Sequence, residues 1–183
     1  MKKTVLTFGL ISGAIMALTM FATLPFIDRI GFDKGAIVGY TSMVLAFLLV
    51  FFGIRSYREN VGGGTITFGR AFAVGILITL ISCICYVVAW EIIYFNFMPD
   101  FVAKYGAYMV EKARASGASP EAIQAQVAQM KKFKELYDNP FINAAFSFLE
   151  PLPVGLIITL LAALILRKKT KSHAGGAAIE AEA

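Results

Sequence analysis

The sequence predicts an all-α integral membrane protein: a four-helix bundle with an outer helical hairpin between spans 3 and 4. Three observations predict it. Hydrophobic residues make up 58% of the chain and charged residues only 16%, against about 45–50% and about 25% in ordinary soluble domains. Four apolar stretches reach the roughly 20 residues needed to cross a hydrocarbon core: residues 5–26, 36–54, 71–94 and 142–166. The segment from Asn96 to Asn139 is too long for a bare connection and carries helical periodicity of its own.

The first stretch, Val5 to Phe26, is uncharged and follows Lys2 and Lys3. It exceeds the roughly 7–15 apolar residues of a secretory signal, and no clear A-x-A cleavage site follows. It is therefore expected to stay as a span. The second, Ala36 to Ile54, is uncharged as well. Gly9 and Gly13, with Ala17 next, and Gly31, Gly35 and Gly39 are spaced four apart. Small residues at this spacing let helix backbones approach closely in lipid, and packing within the chain is expected of both sets.

Lys2, Lys3, Arg55, Arg58, Arg70, Arg167, Lys168, Lys169 and Lys171 flank the spans on one side, whereas Arg29 and Lys34 on the other are balanced by Asp28 and Asp33. The positive-inside rule then places both termini in the cytoplasm. The Gly62-Gly63-Gly64 run lacks the Gly-Lys-Ser/Thr ending of a phosphate-binding loop and reads as a plain turn. Net charge is +5, but the basic residues flank apolar runs instead of forming a nucleic-acid face, so no nucleic-acid partner is expected.

The third stretch, Ala71 to Tyr94, holds Cys83 and Cys85. Residues two apart on a helix point different ways and cannot bridge each other, so both read as small apolar filler. The single histidine, His173, lies in the tail. No metal cluster, cofactor motif or nucleophile–base pair is visible, and neither metal, cofactor nor enzymatic activity is expected. Thr7-Phe8-Gly9 and Thr67-Phe68-Gly69 open the first and third stretches, a hint of duplication too short to outweigh chance.

The outer segment reads as two helices, about 99–138 together. Pro99 fits the first turn of one, whose apolar stripe includes Phe101, Val102, Tyr105, Tyr108 and Met109. Ser116-Gly117-Ala118-Ser119 interrupts it. Ser119 then caps the second helix, with Pro120 in its first position and Glu121 complementing the dipole. Ile123, Val127, Met130, Phe133 and Tyr137 recur at steps of three and four before Asp138-Asn139-Pro140 stops the helix. The two stripes must pack on each other, lie on the bilayer or meet a partner. Phe101, Tyr105, Tyr108, Ile123, Val127, Met130, Phe133 and Tyr137 are the candidate partner surface, for another protein or a second copy of the chain.

Within the spans only Glu91 and Glu150 are ionisable, and such residues are functional hypotheses by default. Each sits near the outer interface, about 30 Å from Ala71 and about 24 Å from Leu166 along its helix. Pro151 follows Glu150, so the last stretch is expected to kink there. Residues 172–183, Ala- and Gly-rich, read as a disordered cytoplasmic tail.

Thr65-Ile-Thr-Phe-Gly-Arg-Ala-Phe-Ala-Val-Gly75 at the entry to the third span, Tyr94 through Phe101 with Met98-Pro99-Asp100, the helical outer segment and the fourth span give the chain a likeness over roughly Lys3 to Lys168. It resembles the bacterial membrane family catalogued as domain of unknown function 4199. That resemblance implies a small four-span protein of the bacterial inner membrane and supplies no activity. The leading expectation is a non-enzymatic subunit or scaffold that contacts a partner through the outer hairpin. The alternative is a small transporter or ion-coupled protein that uses Glu91 and Glu150.

Overall fold

A computed structural model describes residues 1–168; the tail reading for 172–183 falls outside them. The described residues are helical apart from their turns: α1 (Lys2–Thr23), a 3₁₀ turn (Leu24–Phe26), α2 (Ile27–Asn60), α3 (Phe68–Asn96), α4 (Phe101–Ala115), α5 (Pro120–Tyr137), α6 (Pro140–Leu149) and α7 (Pro151–Leu166). Three stretches are long and apolar enough to cross a membrane: Lys2–Asn60, Phe68–Asn96 and Pro140–Leu166.

The first stretch cannot be one rod. A straight helix would hold Ser12 and Ala46 about 50 Å apart, yet the Ser12 hydroxyl donates to the Ala46 carbonyl at 2.9 Å. The chain therefore doubles back. The reversal uses the 3₁₀ turn at Leu24-Pro25-Phe26 and Gly31, whose φ of 73° and ψ of 167° break the helix. A side chain at that φ would crowd the backbone, so glycine is required there. Spans at 5–26 and 36–54 imply a short connecting loop over 27–35. Instead α2 starts at Ile27, because Phe32 finds cover against the rings of Phe101, Tyr105 and Tyr108 at centroid distances of 5.8, 5.3 and 5.2 Å.

α1 packs on α2 and α3, and α7 packs into the angle between α2 and α3. Phe47, Val50, Ile54, Ala71, Val74 and Ile78 are wholly buried there. The approach is close because glycines face neighbouring side chains. A Cβ at Gly9 would lie 2.8 Å from Ile81 Cβ, and one at Gly13 would collide with Cys85. Gly155 meets Thr79 and Phe47 in the same way. Buried hydroxyls join these seams: Ser82 donates to Gly9 O at 3.2 Å, and Thr79 and Thr159 share a hydrogen bond of 3.0 Å. The reading of Gly9 and Gly13 holds. That of Gly31 and Gly39 does not, since neither has any neighbour within 4 Å of a built Cβ.

Local signals set the ends of the other elements. Thr67 caps α3 by accepting from Arg70 N, Ser119 caps α5 by accepting from Ala122 N with Pro120 behind it, and Asn139 caps α6. α4 begins at Phe101, so Pro99 precedes it instead of lying in its first turn. Gly117, at φ +80°, turns α4 into α5. The final apolar stretch divides at Glu150, where proline lacks the N–H the preceding turn needs; Glu150 itself keeps helical angles, φ −67° and ψ −56°. At the opposite end of the molecule Ile66 and Lys168 exchange two backbone hydrogen bonds of 3.0 and 2.9 Å, tying the α2–α3 turn to the end of α7.

Candidate functional site

On α2, residues 36–41 are all exposed, between the buried core beyond Met43 and Phe32 under the α4 rings. Gly35, Ala36 and Gly39 on this half are small, and they leave room instead of forming a seam. The result is a cavity of about 540 Å³ bounded by α1, α2, α3 and α6 and roofed by α4 and α5. Its volume falls within the roughly 300–1,000 Å³ of sites that house small molecules.

The roof is aromatic. On α4, Phe101 meets the Trp90 ring edge-on at 5.0 Å, and Tyr105 and Tyr108 cover Phe32. On α5, Phe133 packs on Phe146 at 5.6 Å and Tyr137 on Tyr94 at 5.3 Å. Polar ties hold both helices down. The Tyr108 hydroxyl donates to Asp33 at 2.6 Å, and Lys112 pairs with the same carboxylate at 3.2 Å. Trp90 Nε1 donates to the Tyr137 hydroxyl at 3.0 Å, and the Tyr94 hydroxyl donates to Asp138 at 2.7 Å. The Lys134 ammonium beside Asp138, with help from Tyr94, holds that carboxyl below the usual carboxylate range.

These contacts locate the expected partner surface. Phe101, Tyr105, Tyr108, Phe133 and Tyr137 turn toward the body of the protein. Met130 fills the space over Gly106 between α4 and α5. Ile123 is half-buried, and Val127 remains 50% exposed. A shallow groove of about 360 Å³ runs beside Val127 between the two helices.

The two glutamates have different surroundings. Glu150 lines the cavity, and its Oε2 accepts from the Tyr86 hydroxyl at 2.8 Å; Tyr40, on α2, lines the same cavity. Glu91 lies off the cavity, with its Oε1 buried and without a hydrogen-bond partner among the described residues. Tyr86, Trp90 and Ile93, at steps of four and three, form the face of α3 that lines the cavity, and Glu91 falls beside that face. Sequence reasoning missed Tyr40 and Tyr86. A helical wheel centred on Trp90 would have singled out Tyr86, whereas nothing local marks Tyr40.

The lining residues that are exposed are Ala36, Val38, Gly39 and Tyr40 on α2 and Phe146 and Glu150 at α6 and its joint with α7; every other lining residue is buried or half-buried. The exposed part of the lining is thus confined to α2 and α6 with its joint to α7. Tyrosines aside, Glu150 is the one ionisable residue in the lining, which holds no lysine, arginine or histidine. No group of three or more His, Cys, Asp and Glu side chains placed to hold a metal ion occurs among the described residues.

Fold and cavity together define a class: an all-helical protein with three apolar stretches compatible with a bilayer and a ligand-sized chamber at one end. The chain belongs to the family described as a protein of unknown function (DUF4199), which it matches over residues 7–168. No curated protein and no solved structure matches it.

Proposed function

We propose that the chain is a non-enzymatic membrane protein with four crossings, made by α1, α2, α3 and α6–α7, that takes up an amphipathic molecule from the lipid into its cavity. Lys2, Lys3, Arg55, Arg58, Arg70, Arg167 and Lys168 cluster at one end of the molecule, which becomes the cytoplasmic face, and the α4–α5 roof becomes the outer one. The observation that carries the reading is that the exposed lining residues fall on α2 and at the α6–α7 joint, and we read the gap between these elements as a lateral opening. Glu150 lies about 24 Å from Leu166 along α6–α7 and Tyr40 about 22 Å from Arg55 along α2, inside a hydrocarbon core about 30 Å thick. The opening then faces acyl chains in the outer leaflet.

Trp90 is the single tryptophan of the chain and lines the cavity, so its fluorescence reports occupancy. A terminally brominated dodecanol should quench it saturably in lipid nanodiscs, and Gly39→Phe, which places a ring in the opening, should abolish the saturable part. Quenching that rises linearly with bromine content and ignores the substitution would overturn the reading.

A second reading keeps the protein as a subunit or scaffold that holds a protein partner by α4 and α5. Val127 and the groove beside it support this, being the part of the stripes left uncovered. Purification from native membranes in mild detergent, with intact-complex mass, tests it. A partner present at fixed stoichiometry with the parent and lost with Val127→Glu supports the contact, whereas retention by both argues against it.

A further inference from the structure

We infer that the occupant of the cavity is a cationic amphiphile, with an ammonium group held at Glu150 and an apolar body in the inner chamber. The inference rests on the cavity reading above and narrows its ligand class. Three features on different elements converge on it. Glu150 supplies the only carboxyl of the lining, and no basic side chain stands in the chamber to neutralise it. Tyr86, from α3, donates to one of its oxygens at 2.8 Å and so anchors the carboxyl at the cavity wall. Tyr40, from α2, adds a second phenol to the same lining.

The surroundings suit an organic cation better than a metal ion. A hard cation needs about six oxygen ligands, and one carboxyl with two phenols falls short of that. An ammonium group needs one counter-charge and aromatic faces, and Trp90, Tyr137 and Phe146 line the same chamber. Rings within about 6 Å of a cation attract it, more strongly where water is excluded. Deeper in, Met16, Met20, Ile27, Ile93 and Met98 offer a yielding apolar wall, the kind of surface that methionine adapts to varied shapes. The charged end therefore stays at the opening and the apolar end goes inward.

The test compares three probes of one chain length by quenching of Trp90: terminally brominated dodecyltrimethylammonium, dodecanol and dodecanoate. They are titrated into the full chain in phosphatidylglycerol nanodiscs and normalised to their measured partition into protein-free discs. The ammonium probe should half-saturate at a concentration at least about tenfold below the alcohol, equivalent to about 1.4 kcal/mol, with the carboxylate weakest. Glu150→Gln should erase the difference between ammonium and alcohol, and Glu150→Asp should keep most of it. Should the variants fail to fold, the three-probe series on the parent still decides. Equal saturation by all three probes would overturn the cation assignment and leave the cavity reading standing. Absence of saturable quenching by any probe would remove the cavity reading itself. Repeating the titration with phosphatidylethanolamine in the discs separates sources. A weakened ammonium probe supports an aminolipid headgroup as the natural occupant, and an unchanged one supports a free amphiphile.

Discussion

Gly75 offers a direct measure of how tightly α3 is wedged between α2 and α7. A Cβ at that position would lie 2.8 Å from Thr159 Cγ2 on α7, and 2.9 and 3.2 Å from Ile54 Cδ1 and Val50 Cγ1 on α2. Real Cβ atoms essentially never come closer than 3.0 Å, so Gly75→Ala forces its neighbours to move. Overpacking of this kind costs about 1–3 kcal/mol. Alanine also gains up to about 1 kcal/mol in helix propensity, and this gain must be separated from the clash. Gly69, in the first turn of the same helix, has nothing within 4 Å of a built Cβ and serves as the reference. Gly75→Ala should thus fall about 1–3 kcal/mol below Gly69→Ala. Thr159→Ser removes the methyl that Gly75→Ala would strike yet keeps the hydroxyl that bonds Thr79 at 3.0 Å. The double variant should recover part of the loss, with a coupling energy of about 0.5–3 kcal/mol. Reversible unfolding by denaturing detergent, followed by Trp90 fluorescence, supplies the four free energies of the cycle. Equal stability of Gly75→Ala and Gly69→Ala, or strict additivity with Thr159→Ser, would refute the packing of α3 against α7 described above.

Other contacts yield smaller, more local effects. Ser12→Ala removes the hydrogen bond from α1 to the Ala46 carbonyl and should cost about 0.6–1.7 kcal/mol in the same assay, the range of interhelical hydrogen bonds in membranes. Ser119→Ala should raise hydrogen exchange in the first turn of α5 by the equivalent of about 0.5–2 kcal/mol and leave α1 to α3 protected as before. The lowered Asp138 carboxyl makes the roof sensitive to acid. A depressed carboxylate contributes its stabilisation above the unfolded value of about 3.9 and loses it as pH falls through the lower folded value. Quenching of Trp90 by iodide should therefore rise at the acid end of that window in the parent, and in Asp138→Asn the rise should be smaller, leaving the part that comes from Asp33, lowered by Tyr108 and Lys112.

Much of the helical layout was legible because hydropathy and capping residues act locally. The apolar stretches, the Ser119-Pro120 start of α5 and the break at Pro151 all depend on neighbours in sequence. What stayed hidden depends on azimuth and on distant partners. Four-residue spacing marks Gly9 and Gly13 no differently from Gly35 and Gly39. The first pair meets α3, whereas Gly39 has nothing within 4 Å of an added Cβ and Gly35 only the tips of Ile27 and Ile30 at 4.0 Å. Glu91 and Glu150 looked equivalent since both lie at similar depth. About a quarter turn of α3 separates Glu91 from the cavity face that carries Trp90. The α4 and α5 stripes were visible as apolar, but the target of the α4 stripe, Phe32 on α2, lies some seventy residues upstream of Tyr105, between two apolar stretches.

The tie between Thr79 and Thr159 spans 80 residues of chain, and this separation orders the birth of the molecule. During synthesis α3 emerges long before α7, and until α7 arrives the Thr79 hydroxyl and the Phe47 ring face an unfilled slot. Any α1–α2–α3 assembly formed by then would carry an open groove lined by Thr79 and Phe47, where α7 later packs. A chain that stalls before Pro151 would leave that groove open. Arrival of the last helix, tied at its end by the Ile66–Lys168 bridge, fills it.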